Sequence, residues 1–533
     1  MPISAAAPDA GQCEARPSWR HRILFPQIRN ALERWLARLA RVRRIEILLS
    51  LVLAACVIRL WVMPLPSSFW TDEALTVFVV HHGGSHSSLD AAPQVPESIY
   101  YWLPRLADAL FGASEVAYRV PSVLAMAFAL FLVAGIAGRL IHHHAGWFAV
   151  FACLALRSIN YAAADARPYA LGFCIAAASV LFLIRWLDSA RWRDAILFVV
   201  SASLLWRTHL VFWPFYLVFA LYAAFRLVRH ETGVRWRHAA AVLAVLSVSL
   251  APVAAKSVSL LRQAHAHVVV AEPQARDLCY SLKFGLVLTC GIGALILSVA
   301  GRWRRPSPAV LGSSVALILA WWLCQPLGLF AFSWLTGNSL FVDRYLALSL
   351  PGAALAATAV AAFWIPSVYW KPLAALLGVG VLIALGQWRE PWPTHNTFDW
   401  RTAAQLLNQH SLGPATPVIC PSAFVEGKPP VWTPQYRLPG FLYAYLSVYP
   451  IRGKPYLFPY QSYAAAEGYG RELAGTVLPA TTRFFIYGSS TDAHFWQGWF
   501  ATQPQLAGWR SVRLLPSGGV DLVMFEKPPG APR

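Results

Sequence analysis

Long apolar runs separated by short polar segments repeat along the chain as far as residue 387. Most of these runs are long enough to cross the roughly 30 Å hydrocarbon core of a bilayer as a helix. The fifth run is short, and the ninth contains Pro326, which could break a helix. The pattern predicts about eleven membrane-spanning helices. They lie near residues 45–63, 118–141, 146–162, 168–187, 193–207, 208–225, 238–256, 279–300, 308–333, 345–364 and 371–387.

The charged residues between the runs predict how the chain is threaded. If the N-terminus is cytoplasmic, the cytoplasmic segments hold about twice as many Lys and Arg residues as the outer segments. The positive-inside rule requires such a bias. An odd number of spans then places the two termini on opposite sides. We therefore predict a multi-pass protein of the inner (cell) membrane, with a cytoplasmic N-terminus and a periplasmic or extracytoplasmic C-terminal domain.

Composition agrees with a membrane protein and excludes other classes. Hydrophobic residues make up 57% of the chain and charged residues only 13%. A soluble protein of this length needs more charged residues to cover its surface. The net charge of +19 could suggest a nucleic-acid partner. However, the Arg clusters lie between the apolar runs, where membrane topology needs them. We expect no nucleic acid.

The chain divides into three predicted parts. Residues 1–44 form a basic cytoplasmic arm, and 45–387 form the transmembrane domain, which includes a large outer loop over 64–118. Residues 388–533 form an outer domain of ordinary domain size. The predicted fold class is mainly α: a polytopic helical bundle with a C-terminal α/β domain.

Short patterns in the two outer regions predict their elements. In the loop, TDEALTVFVVHH and SIYYWLPRLADALF are typical of amphipathic helices on the membrane surface. The last domain opens with the helical pattern FDWRTAAQLLNQH, capped by Thr397 or Asp399. The runs TPVIC, RFFIYGS and VDLVMFEK predict strands, whereas 429–463 gives no assignable pattern.

Acidic residues are scarce, so their positions are informative. Asp72 and Glu73 follow the first span, Asp165 precedes Arg167 between the third and fourth spans, and Asp343 precedes Arg344 at the outer end of the tenth. Charges at a membrane face are costly unless they are paired or functional. Singly, each has a structural explanation: Asp72 could cap a helix, and the two arginines could anchor or snorkel at the interface.

Four stretches, in order, resemble the GT-C class of polyprenyl-phosphate-dependent glycosyltransferases. The similarity is to the protein O-mannosyltransferase and lipid A aminoarabinose transferase families, in their RgtA/B/C/D-like branch. It covers roughly residues 45–390. The four stretches are TDEALT, IYYWLPRLADALFGASEVAYRVPSVL, ADARPYAL and DRYLALSLP.

The resemblance implies an inverting glycosyltransferase. The donor would be a sugar on a polyprenyl phosphate, and the acceptor a glycan, lipid or protein of the envelope. Asp72 matches the general base of the family, with Glu73 and Asp165 as further catalytic residues. Guanidinium groups suit a leaving phosphate, so the resemblance assigns the donor phosphate to Arg167, Arg344 and Tyr345.

One departure concerns the acceptor side. Relatives have a His-Pro pair before the aromatic stretch, whereas this chain has QVPESIYYW. Weaker acceptor or loop contacts are assigned to Glu97, Tyr100, Tyr101 and Tyr169. Asp165 could position the acceptor, pair with Arg167, or hold a divalent cation with Glu73 or Glu97. Oxygen ligands would favour Mg²⁺ or Mn²⁺.

Two groups of histidines are candidates for a site. His142, His143 and His144 fall in a cytoplasmic turn and are interpreted as interfacial. His265 and His267, in an outer loop, could line an acceptor or lipid groove.

A transporter or flippase for lipid-linked sugars is the main alternative function, but it would place ionisable groups near the midplane of the membrane. A non-catalytic assembly component is the third.

Overall fold

The computed structural model describes residues 44–83, 97–263, 271–303, 310, 312–422, 443–459, 464–515 and 518–528. Apart from Arg44, the predicted basic arm lies outside these residues, as do His265 and His267. The division of the chain into three parts stays a prediction.

Helices dominate the part of the chain that precedes Gln387. In chain order the α-helices are α1 (Arg44–Val57), α2 (Thr71–His82), α3 (Trp102–Phe111), α4 (Glu115–Leu140), α5 (Gly146–Leu154), α6 (Arg157–Ala163), α7 (Tyr169–Ser189), α8 (Trp192–Thr208), α9 (Tyr216–Val228), α10 (Trp236–Gln263), α11 (Ala275–Ser281), α12 (Phe284–Gly301), α13 (Gly312–Thr336), α14 (Leu350–Ala362) and α15 (Trp370–Leu385). A π-helical turn, Ile58–Val62, extends α1. Short 3₁₀ segments precede α3, α9, α14 and α15: Ile99–Tyr101, Leu210–Phe215, Asp343–Ser349 and Ser367–Tyr369.

Every predicted span has a helical counterpart. Nine helices in the described residues are long and apolar enough to cross a membrane, and the pair α5 and α6, bent by 84°, would make a tenth. Helix α8, with 17 residues, is at the short end for a span. Pro326 lies inside α13, which continues past it. The predicted multi-pass helical class is confirmed, with nine or ten such helices in the described residues instead of the predicted eleven.

The spans pack closely around small residues. Gly352 on α14 faces the backbone of Trp321 and Trp322 on α13, and a Cβ at this glycine would lie 2.5 Å from the Trp322 nitrogen. Only glycine allows the two helices to approach this closely. The approach fixes the position of α14 and of the 3₁₀ segment before it, which carries Asp343 and Arg344.

The two helices predicted for the outer loop differ from each other. Helix α3 exposes Trp102, Leu106 and Leu110, one apolar stripe at helical spacing that suits a membrane surface. Helix α2 is not a surface helix, because Val77, Phe78 and Val79 are buried. They belong to a core shared with the C-terminal domain, so the prediction of a surface position for α2 is wrong.

The C-terminal domain contains a mixed five-stranded sheet. Its elements are α16 (Trp400–His410), β1 (Pro417–Ser422), α17 (Ala444–Val448), β2 (Lys454–Pro459), α18 (Ala464–Thr476), β3 (Arg483–Ser489), α19 (Ser490–Ala501), β4 (Arg510–Leu515) and β5 (Val520–Glu526). The strand order is β2-β1-β3-β5-β4. Strand β1 runs parallel to β2 and β3, and β5 runs antiparallel to β3 and β4. The predicted α/β domain is confirmed, and Asp399 rather than Thr397 caps α16.

Polar contacts attach this domain to one end of the bundle, which we call the domain end. The Glu115 carboxylate, in the first turn of α4, accepts a 2.7 Å hydrogen bond from the Tyr449 hydroxyl and pairs with Arg401. The Asn396 amide donates to the Ser68 carbonyl at 3.2 Å. The C-terminal domain therefore lies beside the segment that leads into α2.

Candidate active site at the domain end of the bundle

The three charged segments that the sequence singled out meet at the domain end. The Arg344 Nη2 atom lies 3.5 Å from Asp72 Oδ2. The Arg167 Nη1 atom donates to the backbone carbonyl of Asp72 at 3.1 Å. Residues from α2, the α6–α7 connection and the segment before α14 thus meet at Asp72.

Asp72 is accessible and is not the helix cap. Trp70 is the N-cap residue of α2, and its backbone N–H donates a 3.2 Å hydrogen bond to the Glu73 carboxylate. Asp72 lies in the first turn, where the helix dipole favours a negative charge. Its side chain is 24% exposed. The carboxylate faces Arg344 and is open to a substrate.

Aromatic rings hold Arg344. Its guanidinium carbon lies 5.6 Å from the centre of the Trp70 ring and 5.4 Å from that of Tyr345. The His209 ring packs 5.4 Å from Tyr345, and burial lowers the pKa of His209 to about 3. A neutral imidazole is therefore expected beside Arg344. The guanidinium is fixed between rings but remains 39% exposed, so it can meet an anion.

Arg167 is more enclosed than Arg344. Besides the Asp72 carbonyl, its Nη1 atom contacts the Thr76 hydroxyl at 3.5 Å. Its Nε atom is buried and has no partner among the described residues. The backbone N–H of Arg167 donates to the Asp165 carbonyl at 2.8 Å, which shapes a tight turn. Arg167 holds the start of α2 and keeps one donor free.

Glu73 forms a buried ion pair with Arg119. Its two carboxylate oxygens accept hydrogen bonds from Arg119 Nε and Nη2 at 2.7 and 2.5 Å, and both side chains are 0% exposed. The Ala166 N–H also donates to Glu73 at 2.8 Å. Burial alone would raise the pKa of Glu73, but Arg119 brings that pKa below its ordinary value. Glu73 is ionised, paired and shielded from substrate.

Arg119 extends this pair to the loop before α2. Its guanidinium donates to the carbonyls of Leu65, Ser67 and Ser68. This arginine comes from the Arg-x-Pro-Ser part of the second resembling stretch, and Glu73 comes from the first. The two stretches therefore lock together and position Asp72, which neighbours Glu73.

Replacing Arg119 with Met is expected to destabilise the protein by about 3–5 kcal/mol, because it leaves the Glu73 charge buried and unpaired. The free energy of unfolding in mixed micelles measures this loss. Arg471→Ala is the matched control, since Arg471 pairs with Glu467 on the exposed face of α18 and should cost less than about 0.5 kcal/mol. Equal effects from the two changes would contradict a structural role for the buried pair.

Asp165 is buried beside a histidine that sequence reasoning missed. Its Oδ1 atom accepts a 3.0 Å hydrogen bond from the Trp70 indole and lies 3.7 Å from His395 Nε2. The His395 ring also stacks on Tyr161, with ring centres 4.2 Å apart. Burial raises the pKa of Asp165. Its nearest ionisable side chain is thus His395 rather than Arg167, and no motif in the sequence marked that histidine.

The same residues define what could hold a cation. Ligand atoms of Glu73, Asp165 and His395 lie within 4.8 Å of one another. The oxygens of Glu73 are already occupied by Arg119 and backbone N–H groups. Within this group of described residues, the buried atoms without a hydrogen-bond partner are Asp165 Oδ2 and His395 Nε2. Two ligands are fewer than Mg²⁺ or Mn²⁺ takes. The residues present do not fit such an ion well.

The weaker predicted contacts separate into two groups. Tyr100, Tyr101 and Tyr169 are buried near Arg167, and burial raises the pKa values of Tyr100 and Tyr101. Glu97 lies apart from the cluster of possible metal ligands. It pairs with Lys256 on α10 at 2.7 Å. The structure therefore brings the tyrosines to the site, while Glu97 takes a different partner.

An apolar groove runs along the bundle toward this site. Its volume is about 660 Å³, and it is lined by α5, α12, α15 and the bend after α5. On α12 it extends from Gly285 to Leu297, about 18 Å at the helical rise. Lys283 is the one charged residue among its described lining residues. Its Nζ atom lies 3.3 Å from Asp343, the neighbour of Arg344.

The helical bundle, with an accessible carboxylate and guanidinium at its domain end, is that of a multi-pass membrane protein with a GT-C-type fold. Residues 96–254 match the model of the dolichyl-phosphate-mannose-protein mannosyltransferase family. This range includes the second and third of the four resembling stretches.

Solved structures of ArnT from Cupriavidus metallidurans have a similar fold. The apo structure has a TM-score of 0.51 and 13% identity, over 89% of this chain and 97% of that chain. ArnT bound to undecaprenyl phosphate gives a TM-score of 0.51 and 12% identity, over 91% and 98%. No curated protein matched the chain by sequence. The family model and shared fold confirm the predicted GT-C resemblance and enzyme class.

Proposed function

We propose that this chain is an inverting glycosyltransferase that moves a sugar from a polyprenyl-phosphate donor to an envelope acceptor. The single observation that carries the proposal is the accessible Asp72–Arg344 pair. It supplies one base and one phosphate-binding cation at the same place. ArnT, with a similar fold, has been solved bound to undecaprenyl phosphate, a polyprenyl phosphate of the kind that the proposed donor would release.

The roles of the site residues follow from their exposure. Asp72 accepts the proton of the acceptor hydroxyl as its oxygen bonds to the anomeric carbon. The bond between that carbon and the phosphate oxygen breaks at the same time, and polyprenyl phosphate leaves. Arg344 receives the developing charge, with the free donor of Arg167 and the Tyr345 hydroxyl as further contacts.

Inversion follows from which carboxylates a substrate can reach. A retaining mechanism needs a second carboxylate as a nucleophile. Glu73 and Asp165 are fully buried, so neither can attack a sugar. A single displacement that uses only Asp72 therefore fits the site, and such a displacement inverts the anomeric carbon.

The apolar groove suits the isoprenoid tail of the donor. A polyprenyl chain is apolar and enters from the bilayer, and most of the described lining residues of the groove are Leu, Ile, Val, Ala and Gly. Its charged end lies next to Asp343, one residue from Arg344. A tail in the groove would bring its phosphate to the proposed site.

The domain end, in our proposal, faces the periplasm or exterior of an inner (cell) membrane. Asp72 and the C-terminal domain share this end through Glu115 and Arg401, so both must face the same side. The bias of Lys and Arg toward the opposite segments supports an outer position. A topology reporter fused at Gly413 is expected to report the outer side, and one at Gly233 the cytoplasm. A cytoplasmic signal at Gly413 would contradict the assignment.

The test of the proposed function is sugar transfer by the purified protein in lipid. The reaction contains a radiolabelled polyprenyl-phosphate sugar and a crude envelope fraction as acceptor. Label that moves from the lipid to the acceptor is the expected result. Label that crosses the bilayer on an unchanged lipid would indicate a transporter, and label that stays on the donor would favour an assembly component.

A further inference from the structure

Lys283 occupies an unusual place at the end of the apolar groove. It is the residue before α12, and its backbone has φ +52° and ψ +36°. Residues other than Gly, Asn and Asp rarely adopt this left-handed conformation. Such strained residues cluster at functional sites. This conformation accompanies a lysine that lines the groove at its domain end.

The Lys283 ammonium pairs with Asp343, which precedes Arg344 of the proposed site. Its Nζ atom lies 3.3 Å from Asp343 Oδ1, and the Ser158 hydroxyl lies 3.5 Å from Asp343 Oδ2. The Asp343 side chain is 65% exposed and that of Lys283 is 26% exposed. A pair this exposed contributes little stability and exchanges readily with other ions.

The charge on the donor phosphate changes during the proposed reaction. A polyprenyl-phosphate sugar is a phosphodiester with one negative charge, whereas the departing polyprenyl phosphate is a monoester that carries nearly two. Arg344 is the accessible guanidinium of the site and balances the first charge. Arg167 is more enclosed, since its Nη1 atom is bonded to the Asp72 carbonyl and its Nε atom is buried. A second cation that meets the phosphate as the bond breaks would stabilise the transition state more than the bound donor.

We propose that Lys283 is this second cation, and that Asp343 takes the place of the phosphate beside Lys283 in the free protein. The inference builds on the proposed function and identifies the ligand at the groove end as a polyprenyl phosphate. When the lipid enters, its phosphate displaces the Asp343 carboxylate from the ammonium. Lys283 therefore strengthens the binding of the lipid phosphate, and Asp343 weakens it.

Variants at the two positions test these opposite effects on the affinity for polyprenyl phosphate. Lys283→Gln is expected to weaken binding of polyprenyl phosphate about tenfold to a hundredfold, the value of one charged hydrogen bond. Asp343→Asn is expected to tighten it, because a competing anion is gone. Lys283→Arg keeps the charge and should bind nearly as the unchanged protein. Binding is measured as the shift in unfolding temperature when polyprenyl phosphate alone is titrated into the purified protein.

Lys256→Gln is the matched control. Lys256 also pairs with an exposed carboxylate, that of Glu97, but it does not line the groove. It should leave polyprenyl-phosphate binding unchanged. Unchanged binding in Lys283→Gln, or weaker binding in Asp343→Asn, would overturn the inference.

The kinetic result separates this inference from the proposed function. Lys283→Gln should lower kcat for sugar transfer more than it raises the donor KM, because the second charge appears only as the bond breaks. Absence of transfer by the unchanged protein would overturn the proposed function alone. Lys283-dependent binding of polyprenyl phosphate would still support the phosphate site.

Discussion

Asp72→Asn is expected to lower the rate of sugar transfer by about 10²–10⁴-fold, the usual contribution of a general base. The amide keeps the size of the side chain but cannot accept the proton of the acceptor hydroxyl. Because the buried Glu73–Arg119 pair positions this turn, the fold should remain intact. Turnover with saturating donor measures the loss, and unfolding temperature measures the fold.

Asp277→Asn provides the control for Asp72. Asp277 is an exposed carboxylate in the first turn of α11, paired with its neighbour Arg276. It should transfer sugar at the normal rate. Donor binding should persist in both variants, since the base acts on the acceptor. Near-normal turnover by Asp72→Asn would leave Asp72 only as the partner that holds Arg344.

Arg344→Ala is expected to lower transfer by about 10²–10³-fold, as the loss of a preorganised charge-stabilising donor does in other enzymes. Arg344→Lys should be intermediate, because an ammonium keeps the charge but lacks the paired donors of a guanidinium. Both should affect kcat more than binding of the intact donor. Single-turnover measurements with radiolabelled donor separate these quantities.

Arg276→Ala is the control for Arg344. This arginine is also at the domain end and is 72% exposed, but it makes no contact with the proposed site residues. It should be neutral. Full transfer by Arg344→Ala would mean that Arg167 or Lys283 holds the phosphate and that the phosphate site is misassigned.

Much of the membrane part could be predicted because a bilayer imposes length and composition on each span. The eleven apolar runs therefore matched helices, including α8, despite its 17 residues. The same approach could not place α2. Its pattern is amphipathic by sequence, but its apolar face packs against α17 of a domain that begins far along the chain.

The site was only partly predictable for a related reason. Asp72 and Arg344 stand out because charges are rare near spans. Glu73, next to Asp72, looked equally catalytic, because its partner Arg119 is 46 residues away and comes beside it only in the folded chain. His395 and Lys283 belong to no motif, and only their contacts with Asp165 and Asp343 in the folded chain point to them. In the C-terminal sheet, β2 (KPYLFP) escaped prediction because it contains two prolines.

The contacts of Glu115 have a consequence for how the protein is made. This residue begins α4, an early span, but Tyr449 is 334 residues further along the chain. His395, which faces Asp165, is also synthesised after every span. The early helices thus enter the membrane long before these partners exist. The contacts of the candidate site with the C-terminal domain can therefore form only after the chain has been synthesised past Tyr449, and a chain that stops before that domain lacks them.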